Sequence, residues 1–350
     1  MKYTISFKWP KISIIILNWN GWKDTIECLE SLYQITYPNY EIILVDNGSI
    51  DESIKKISEY CEGKIKVESQ FFKYDDNNKP IKIIEYTREE SANKRIESEF
   101  ENINSNKKLI IIKNEKNYGF AEGNNIGIRY SLKYLKMDYF LLLNNDTVVD
   151  RNILNELINV SRQDDNIGAV GPKIYYYYDK NKINFAGGKL FLWRGEIKNI
   201  GKNCIDKGQF DKIKQVDFIQ GSCFFVKKEI ITKIGYLDKD YFSYFEDTDW
   251  CIRIKKNGFK LFYAPKAKIW HKIASSTDTL SPLRGYYWGR NSFLLVKKNS
   301  KKKTYYLFIL YFITFKFWAI SIILFARKKY KSFVFFIKGL IDINSLYNRF

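Results

Sequence analysis

"YFLLLNNDTVVD", residues Tyr139 to Asp150, begins as a run apolar enough for a buried strand and ends abruptly in Asn144, Asn145 and Asp146. A buried carboxylate without a partner is costly, and two amides beside it add donors and acceptors that must be satisfied. Either the strand ends in solvent or something cationic waits at its tip. Upstream stretches repeat the arrangement. Ile12 to Leu17 reads as a strand running into "NWNG", Thr25 to Tyr33 as a helix, and Glu41 to Val45 as a strand running into "DNGS". This alternation predicts an α/β fold with a mixed, mainly parallel central sheet. In open α/β sheets ligands bind beyond the carboxyl ends of the strands, so the polar exits should converge on one crevice.

The 350 residues, 45% hydrophobic and 17% aromatic, are enough for one large α/β domain with additions or for two smaller ones. The formal net charge of +19 implies an anionic partner: nucleic acid, an acidic membrane surface or phosphorylated ligands. Cys28, Cys61, Cys204, Cys223 and Cys251 are widely spaced and show no metal-ligand spacing, which reads as reduced thiols in a cytosolic domain. The first apolar run is too short for a secretory signal and is followed at once by Asn18.

The charged stretch 64–108 breaks the rhythm and reads as a peripheral insertion, with a short strand at Ile81 to Tyr86 and a polar helix after it. Strand–helix alternation resumes at Lys108 and reaches Tyr139 to Leu143. Beyond Asp150, a helix from Asn152 to Ser161, short strands near Ala169 to Tyr177 and Phe218 to Val226, and a helix from Asp247 to Lys256 should cover the acceptor side of the crevice. Thr304 to Ala326 differs in kind: only Lys316 is charged, and the length suffices to cross a bilayer at about 1.5 Å per residue. Bases flank it on both sides, "KKNSKKK" before and "RKK" after. Both ends then belong on the cytoplasmic side, which favours a helix lying in the interface or a shallow hairpin over a single span. "YKSFVFFIKGLIDI" continues as an in-plane amphipathic helix with Lys331, Lys338 and Asp342 near one face. The division expected is residues 1–276 as the α/β domain, with 64–108 inserted, and 277–350 as a helical, membrane-associating region.

Four clusters can carry chemistry. Asp46 follows a strand in "VDNGSIDES", where it could accept from a ribose or base, or could belong to an Asx turn with Asp51 as N-cap. "NEKNYGFAEGNNIG" offers Gly119, Gly123 and Gly127 for close backbone approach and Asn117, Asn124 and Asn125 for sugar or phosphate oxygens, or is a long helix entry; it is neither GxGxxG nor a P-loop. Glu246, Asp247 and Asp249 crowd together among Phe242, Tyr244, Phe245 and Trp250. Like charges in that setting raise at least one pKa toward a general base, although acids at a helix start are also favoured by the dipole. His271 is the only histidine, and gains meaning only with a carboxylate that shares a metal with it.

In this order the clusters resemble family 2 glycosyltransferases of the GT-A fold, particularly the rhamnosyltransferase-like branch. "SIIILNWNGWKDTIECLESL", "EIILVDNGSIDES", "NYGFAEGNNIGI", "LLLNNDTVVD" and the stretch from "VDFIQGSCFFV" through "YFEDTDWCIRIKKNGFK" to His271 carry the likeness, from Ile12 to Ser276. The resemblance implies that Leu17 and Trp19 contact the nucleobase and that Asp46 holds base or ribose. Asn117, Gly119 and Asn125 fall in the donor segment with Asn144 and Asn145. Asp146 then ligates Mg²⁺ or Mn²⁺ with His271, Gly221, Ser222, Glu246, Asp249 and Trp250 lie near the acceptor, and Asp247 is the catalytic base. Asn144 stands where the family usually has an acid, so the metal site carries one negative charge fewer.

The partners implied are a nucleotide-sugar donor, dTDP-rhamnose or a UDP-hexose, a glycan or lipid-linked acceptor, and the cytoplasmic face of the cell membrane. A nucleotidyltransferase would need a basic Gly-rich loop and a second acid pair, neither of which is evident. A purely basic binding module is the other alternative. The densest bases flank the apolar tail rather than a stacking surface, which favours membrane over nucleic acid.

Overall fold

The computed structural model describes residues 9–93, 100, 102–273 and 280–347. Ser276, the last residue of the stretch that carries the resemblance, lies outside them. Among the described residues thirteen strands are formed: β1 Ile12–Asn18, β2 Tyr40–Asp46, β3 Lys82–Thr87, β4 Lys108–Lys113, β5 Tyr139–Asn144, β6 Thr147–Val149, β7 Ile167–Tyr176, β8 Asp179–Phe185, β9 Gly188–Phe191, β10 Glu196–Asn199, β11 Lys214–Val216, β12 Cys223–Lys227 and β13 Lys260–His271. The main sheet runs β11-β13-β7-β12-β5-β1-β2-β4-β3, with β6 added to β13 and β8 to β7, while β9 and β10 make a separate hairpin.

The run "ISIIILN" becomes β1 because helices cover both faces of the parallel half, so an alternating pattern is not required. Ile12, Ile14, Ile15 and Ile16 are completely buried. Register then does the positioning. Leu17 pairs with Asn144, Asn18 with Asp46, and Asp46 with Lys113, so the polar exits of β1, β2 and β5 are level at one sheet edge. At β5 the sheet changes sense: β12 pairs antiparallel to it, with Cys223 opposite Leu143. β6 pairs antiparallel with the end of β13, setting His271 opposite Thr147.

Two expectations are corrected. The stretch 64–108 is not wholly peripheral, since it supplies the edge strand β3, parallel to β4. Its charges do enter the interior, as ion pairs: Lys79 Nζ lies 2.8 Å from Glu30 Oε2 and Lys108 Nζ 2.9 Å from Glu41 Oε1. Pairing offsets the desolvation that an isolated charge would suffer.

The second concerns the in-plane helix expected near the C-terminus, which packs on a helix that is itself joined to the α/β body. Helix Pro282–Asn299 packs into that body. Arg290 and Asn291 donate to the Tyr241 carbonyl, Lys298 pairs with Asp238 and Asp240, and Asn299 donates to Asp249. Helix Tyr330–Tyr347 lies against it, so it is not a free in-plane helix. A Cβ at Gly285 would meet the Ser332 carbonyl oxygen at 2.7 Å, and one at Gly289 the Phe336 oxygen at 2.9 Å. Asp342 is committed to the Tyr286 hydroxyl at 2.9 Å rather than to solvent.

Residues Lys302–Ala326 form a continuous helix long and apolar enough to cross a membrane. Phe308, Phe312, Lys316 and Leu324 are its buried stripe. A spacing of four drifts around an α-helix of 3.6 residues per turn, and the π turn at Phe312–Lys316 brings the stripe back. Lys316 Nζ donates to the Arg194 and Gly195 carbonyls at 3.0 Å each, fixing the middle of this helix to the turn between β9 and β10.

Candidate active site

The levelled strand exits open into a cleft of about 1720 Å³. Leu17, Trp19, Asn117, Gly119, Asn144, Asn145, Asp146, Gly221, Ser222, Glu246, Asp247 and His271, all expected from the sequence, line it together.

On the β1–β2 side, Trp19 is 53% exposed and free to stack on a flat ligand. Behind it, Asp46 is buried and fully engaged, accepting from Asn18 Nδ2 at 2.7 Å, Ser49 Oγ at 2.6 Å and Ser49 N at 3.0 Å. It braces the wall rather than lining it. Asn47 does line the cleft. Its side chain donates to Asn117 Oδ1 and the Gly119 carbonyl and accepts from Asn114 and Tyr118, locking the β2 exit to the segment Asn114 to Gly119. Only its place in a turn-like "DNGS" signalled it. Gly119 is obligatory: its φ is +81°, and a Cβ would meet the Phe242 carbonyl oxygen at 2.5 Å. Asn125 faces away from the cleft, bridging Leu237 through both its amide nitrogen and oxygen at 2.8 and 3.1 Å.

The opening stretch behaves as two halves. Asn145 turns back to Thr25 Oγ1 at 3.0 Å, whereas Asn144 Oδ1 is buried with no hydrogen-bond partner among the described residues. Asp146 Oδ1 lies 3.0 Å from His271 Nε2, and Lys272 N donates to the Asp146 carbonyl at 2.9 Å. Burial opposes ionisation of Asp146, but the imidazole and Lys272 outweigh it and hold its pKa below the usual carboxylate value. His271 Nδ1 is buried without a partner among the described residues. No group of three or more His, Cys, Asp or Glu placed to hold a metal ion by themselves is assembled among the described residues. A carboxylate, an imidazole and an orphaned amide oxygen nevertheless suit Mg²⁺ or Mn²⁺ when ligand phosphates and water complete the shell.

The acids divide by depth. Helix Glu246–Lys256 starts at the cleft, after a loop in which Phe242, Tyr244 and Phe245 all have positive φ, at 60°, 68° and 74°. Three strained aromatic residues in one loop mark a conformation imposed from outside. Asp247 Oδ2 accepts from Gly221 N at 2.8 Å, and Oδ1 from Thr248 N at 2.6 Å. Burial raises its pKa although these hydrogen bonds oppose the rise. Burial first, then the Asp247 charge, raises that of Glu246 well above the usual range.

A carboxyl whose folded pKa is raised holds its proton more tightly when folded, so it costs stability as pH climbs from its unfolded pKa toward the folded one. Glu246→Gln is therefore expected to melt higher than the unaltered protein at pH ~8, with the gap closing near pH ~4. A thermal melt series across that range reads it, and an equal gap at both ends would contradict the assignment.

Two expected acceptor residues lie elsewhere. Asp249 is buried against Arg253 Nε at 2.7 Å and Asn299 Nδ2 at 2.7 Å, joining two helices. Trp250 is fully buried, stacked on Phe224 with ring centroids 5.1 Å apart, and donates to the Gly235 carbonyl at 3.0 Å. Helical geometry explains both: only the first turn reaches the cleft, and positions 249 and 250 point into the body.

Comparison with known proteins finds the pattern described as "Glycosyltransferase like family 2" over residues 79–285 and that described as "Glycosyl transferase family 2" over residues 13–79. The chain belongs to glycosyltransferase family 2. This family 2 chain is 30% identical over 147 residues to "Low-salt glycan biosynthesis hexosyltransferase Agl10" of Haloferax volcanii, covering 41% of this chain and 46% of that protein. It is 28% identical over 198 residues to "dTDP-rhamnosyl transferase RfbF" of Shigella flexneri, covering 53% and 62%. The chain thus spans about half to three-fifths of the length of these relatives. Its fold is GT-A. A mannosyltransferase from Pyrobaculum calidifontis solved with GDP-Man and Mn²⁺ superimposes with a TM-score of 0.57 at 12% identity, over 96% of this chain and 88% of that one. S. aureus TarS gives 0.52 at 13% identity, over 95% and 80%.

One supporting residue of this family 2 chain had no signal in the sequence. Asn291, completely buried in helix Pro282–Asn299, donates to the carbonyls of Tyr241, Ser243 and Tyr244 at 2.8–2.9 Å. It holds the strained loop that delivers Glu246 and Asp247.

Proposed function

We propose that this glycosyltransferase transfers a sugar with inversion from a nucleotide-diphosphate donor, dTDP-rhamnose or a UDP-hexose, to a hydroxyl of a glycan or lipid-linked acceptor at the cytoplasmic face of the membrane. The observation that carries the reading is Asp247, held by Gly221 and Thr248 in the cleft that also contains Asp146 and His271. Asp247 takes the proton from the acceptor hydroxyl as its oxygen attacks the anomeric carbon. One base suffices for a single displacement, so the sugar passes directly and its configuration inverts. Trp19 and Leu17 receive the nucleobase, with Asp46 and Asn47 fixing the wall behind them, while Gly221 and Ser222 border the acceptor. Asp146 and His271 would hold Mn²⁺ or Mg²⁺, which supplies positive charge against the departing nucleoside diphosphate.

A panel of nucleotide sugars with Mn²⁺ or Mg²⁺, assayed for nucleoside diphosphate release, tests the donor. Asp146→Asn is expected to weaken Mn²⁺ binding by about 10–100-fold. Manganese titration followed by electron paramagnetic resonance reads this, and unaltered affinity would remove Asp146 from the metal site.

For the membrane, helix Lys302–Ala326 keeps Leu310, Ile313, Trp318 and Ile322 exposed on the side away from its buried stripe. Contacts in its middle to the β9–β10 turn favour a helix lying in the interface over one that spans. Replacing Leu310, Ile313 and Ile322 together by Glu should reduce co-sedimentation with phosphatidylglycerol-rich vesicles by at least about tenfold, since each immersed apolar side chain contributes roughly 1.5–3 kcal/mol. Equal sedimentation would refute the interfacial seating.

A further inference from the structure

The cleft carries a concentration of positive charge that the transfer mechanism leaves unused. Lys189 on β9 and Lys198 on β10 are direct partners in the antiparallel ladder. Side chains so paired project on one face of the hairpin, where like charges repel. Lys214 on β11 is half-buried, and its pKa is lowered first by burial and then by the Lys189 charge. All three line the cleft, with Lys202 further along the same wall.

The acids nearby are committed to other cations. Asp206 and Asp211 pair with Lys173, Asp217 with Lys255, and Glu196 with Arg194 and Lys316. Lys189, Lys198 and Lys214 form no salt bridge among the described residues, and a wall that gathers such ammonium groups, on a hairpin whose own pairing they oppose, suits an anion.

The hairpin's other end shows where that anion comes from. Its turn rests on the apolar helix: a Cβ at Gly195 would lie 2.8 Å from Phe308. Leu283 and Trp288, both exposed and apolar, line the same cleft. One hairpin therefore joins the basic wall to the helix whose opposite face is proposed to meet lipid.

We infer that Lys189, Lys198 and Lys214 form a subsite for a diphosphate carried by the acceptor, whose lipid chain leaves toward the exposed face of helix Lys302–Ala326. This deepens the proposed function and rests on it. The donor's own diphosphate belongs with Asp146 and His271, so the two anions are held by different chemistry, one by a metal site and one by ammonium groups.

The test titrates the full-length protein calorimetrically in metal-free buffer with farnesyl diphosphate, inorganic pyrophosphate and farnesol. Farnesyl diphosphate should bind at least about tenfold more weakly to Lys189→Gln/Lys198→Gln than to the unaltered protein, with Lys189→Arg/Lys198→Arg restoring affinity. Farnesol binding should not respond to the substitutions. Equal farnesyl diphosphate affinity in the unaltered protein and the glutamine variant would overturn the subsite. Pyrophosphate binding as tightly as farnesyl diphosphate would overturn the lipid-linked source. Matching circular dichroism and melting of the variants separates lost recognition from lost fold. Failure of the transferase reading itself is seen independently, as no nucleoside diphosphate release from any nucleotide sugar, a readout that the metal-free titration does not use.

Discussion

Asp247→Asn is expected to lower kcat by about 10²–10⁴-fold while leaving the KM for the nucleotide sugar near its unaltered value. The change keeps the volume but replaces one carboxylate oxygen by an NH₂, so the hydrogen bond from either Gly221 N or Thr248 N is lost, and a thermal melt of the variant separates that local cost from the chemistry. What is lost is the ability to take a proton from the acceptor hydroxyl. The donor is held by other residues, which is why the effect should fall on kcat. Asp247's pKa is raised by burial, so the acidic limb of the unaltered protein's kcat profile should lie above the ordinary aspartate value of about 3.9. Nucleoside diphosphate release at saturating donor and acceptor measures both. A variant with full kcat would exclude Asp247 as the base and leave Glu246, its buried neighbour, as the alternative.

Asn291→Ala should cost about 2–5 kcal/mol of stability and most of the activity, although Asn291 does not line the cleft. Its amide nitrogen satisfies three carbonyls inside a loop whose aromatic residues hold positive φ. Removing it strands buried acceptors and releases the strain that the bonds restrain. The loop also carries the Phe242 carbonyl that accepts from Phe120 N at 2.6 Å, so relaxation there reaches the start of helix Gly119–Tyr134, where Gly119 and Phe120 line the cleft. Melting temperature and kcat should fall together. An unchanged melt with unchanged kcat would mean that helix Pro282–Asn299 does not fix the catalytic loop.

The two residues differ in how far sequence reasoning can see them. Asp247 belongs to a run of acids among aromatics, and local crowding of charge is visible in one dimension. Asn291 is an amide in a helix with no local motif around it, and its meaning comes from carbonyls some fifty positions earlier. Asp249 and Trp250 show the opposite failure: residues adjacent to a functional acid on a helix point elsewhere, so proximity in sequence overassigned them. Asp46 and Asn125 are also members of the right segments, but their bonds go to Ser49, Asn18 and Leu237, which makes them supports of the walls.

What the sequence by itself determined is the repeating unit and its chemistry. Apolar strands that end in Asn and Asp predict a mainly parallel sheet with a polar rim, because a buried strand tolerates those groups only at its exit. The tertiary structure alone decided which of them meet. Level register of β1, β2 and β5 aligned the rim, and antiparallel pairing of β6 with β13 carried His271 across more than a hundred residues to within 3.0 Å of Asp146. It also made the C-terminal helix part of the site and left one face of the next helix without protein cover. Hydrogen bonding between distant strands and packing between distant helices set these outcomes, and neither leaves a local mark in the chain.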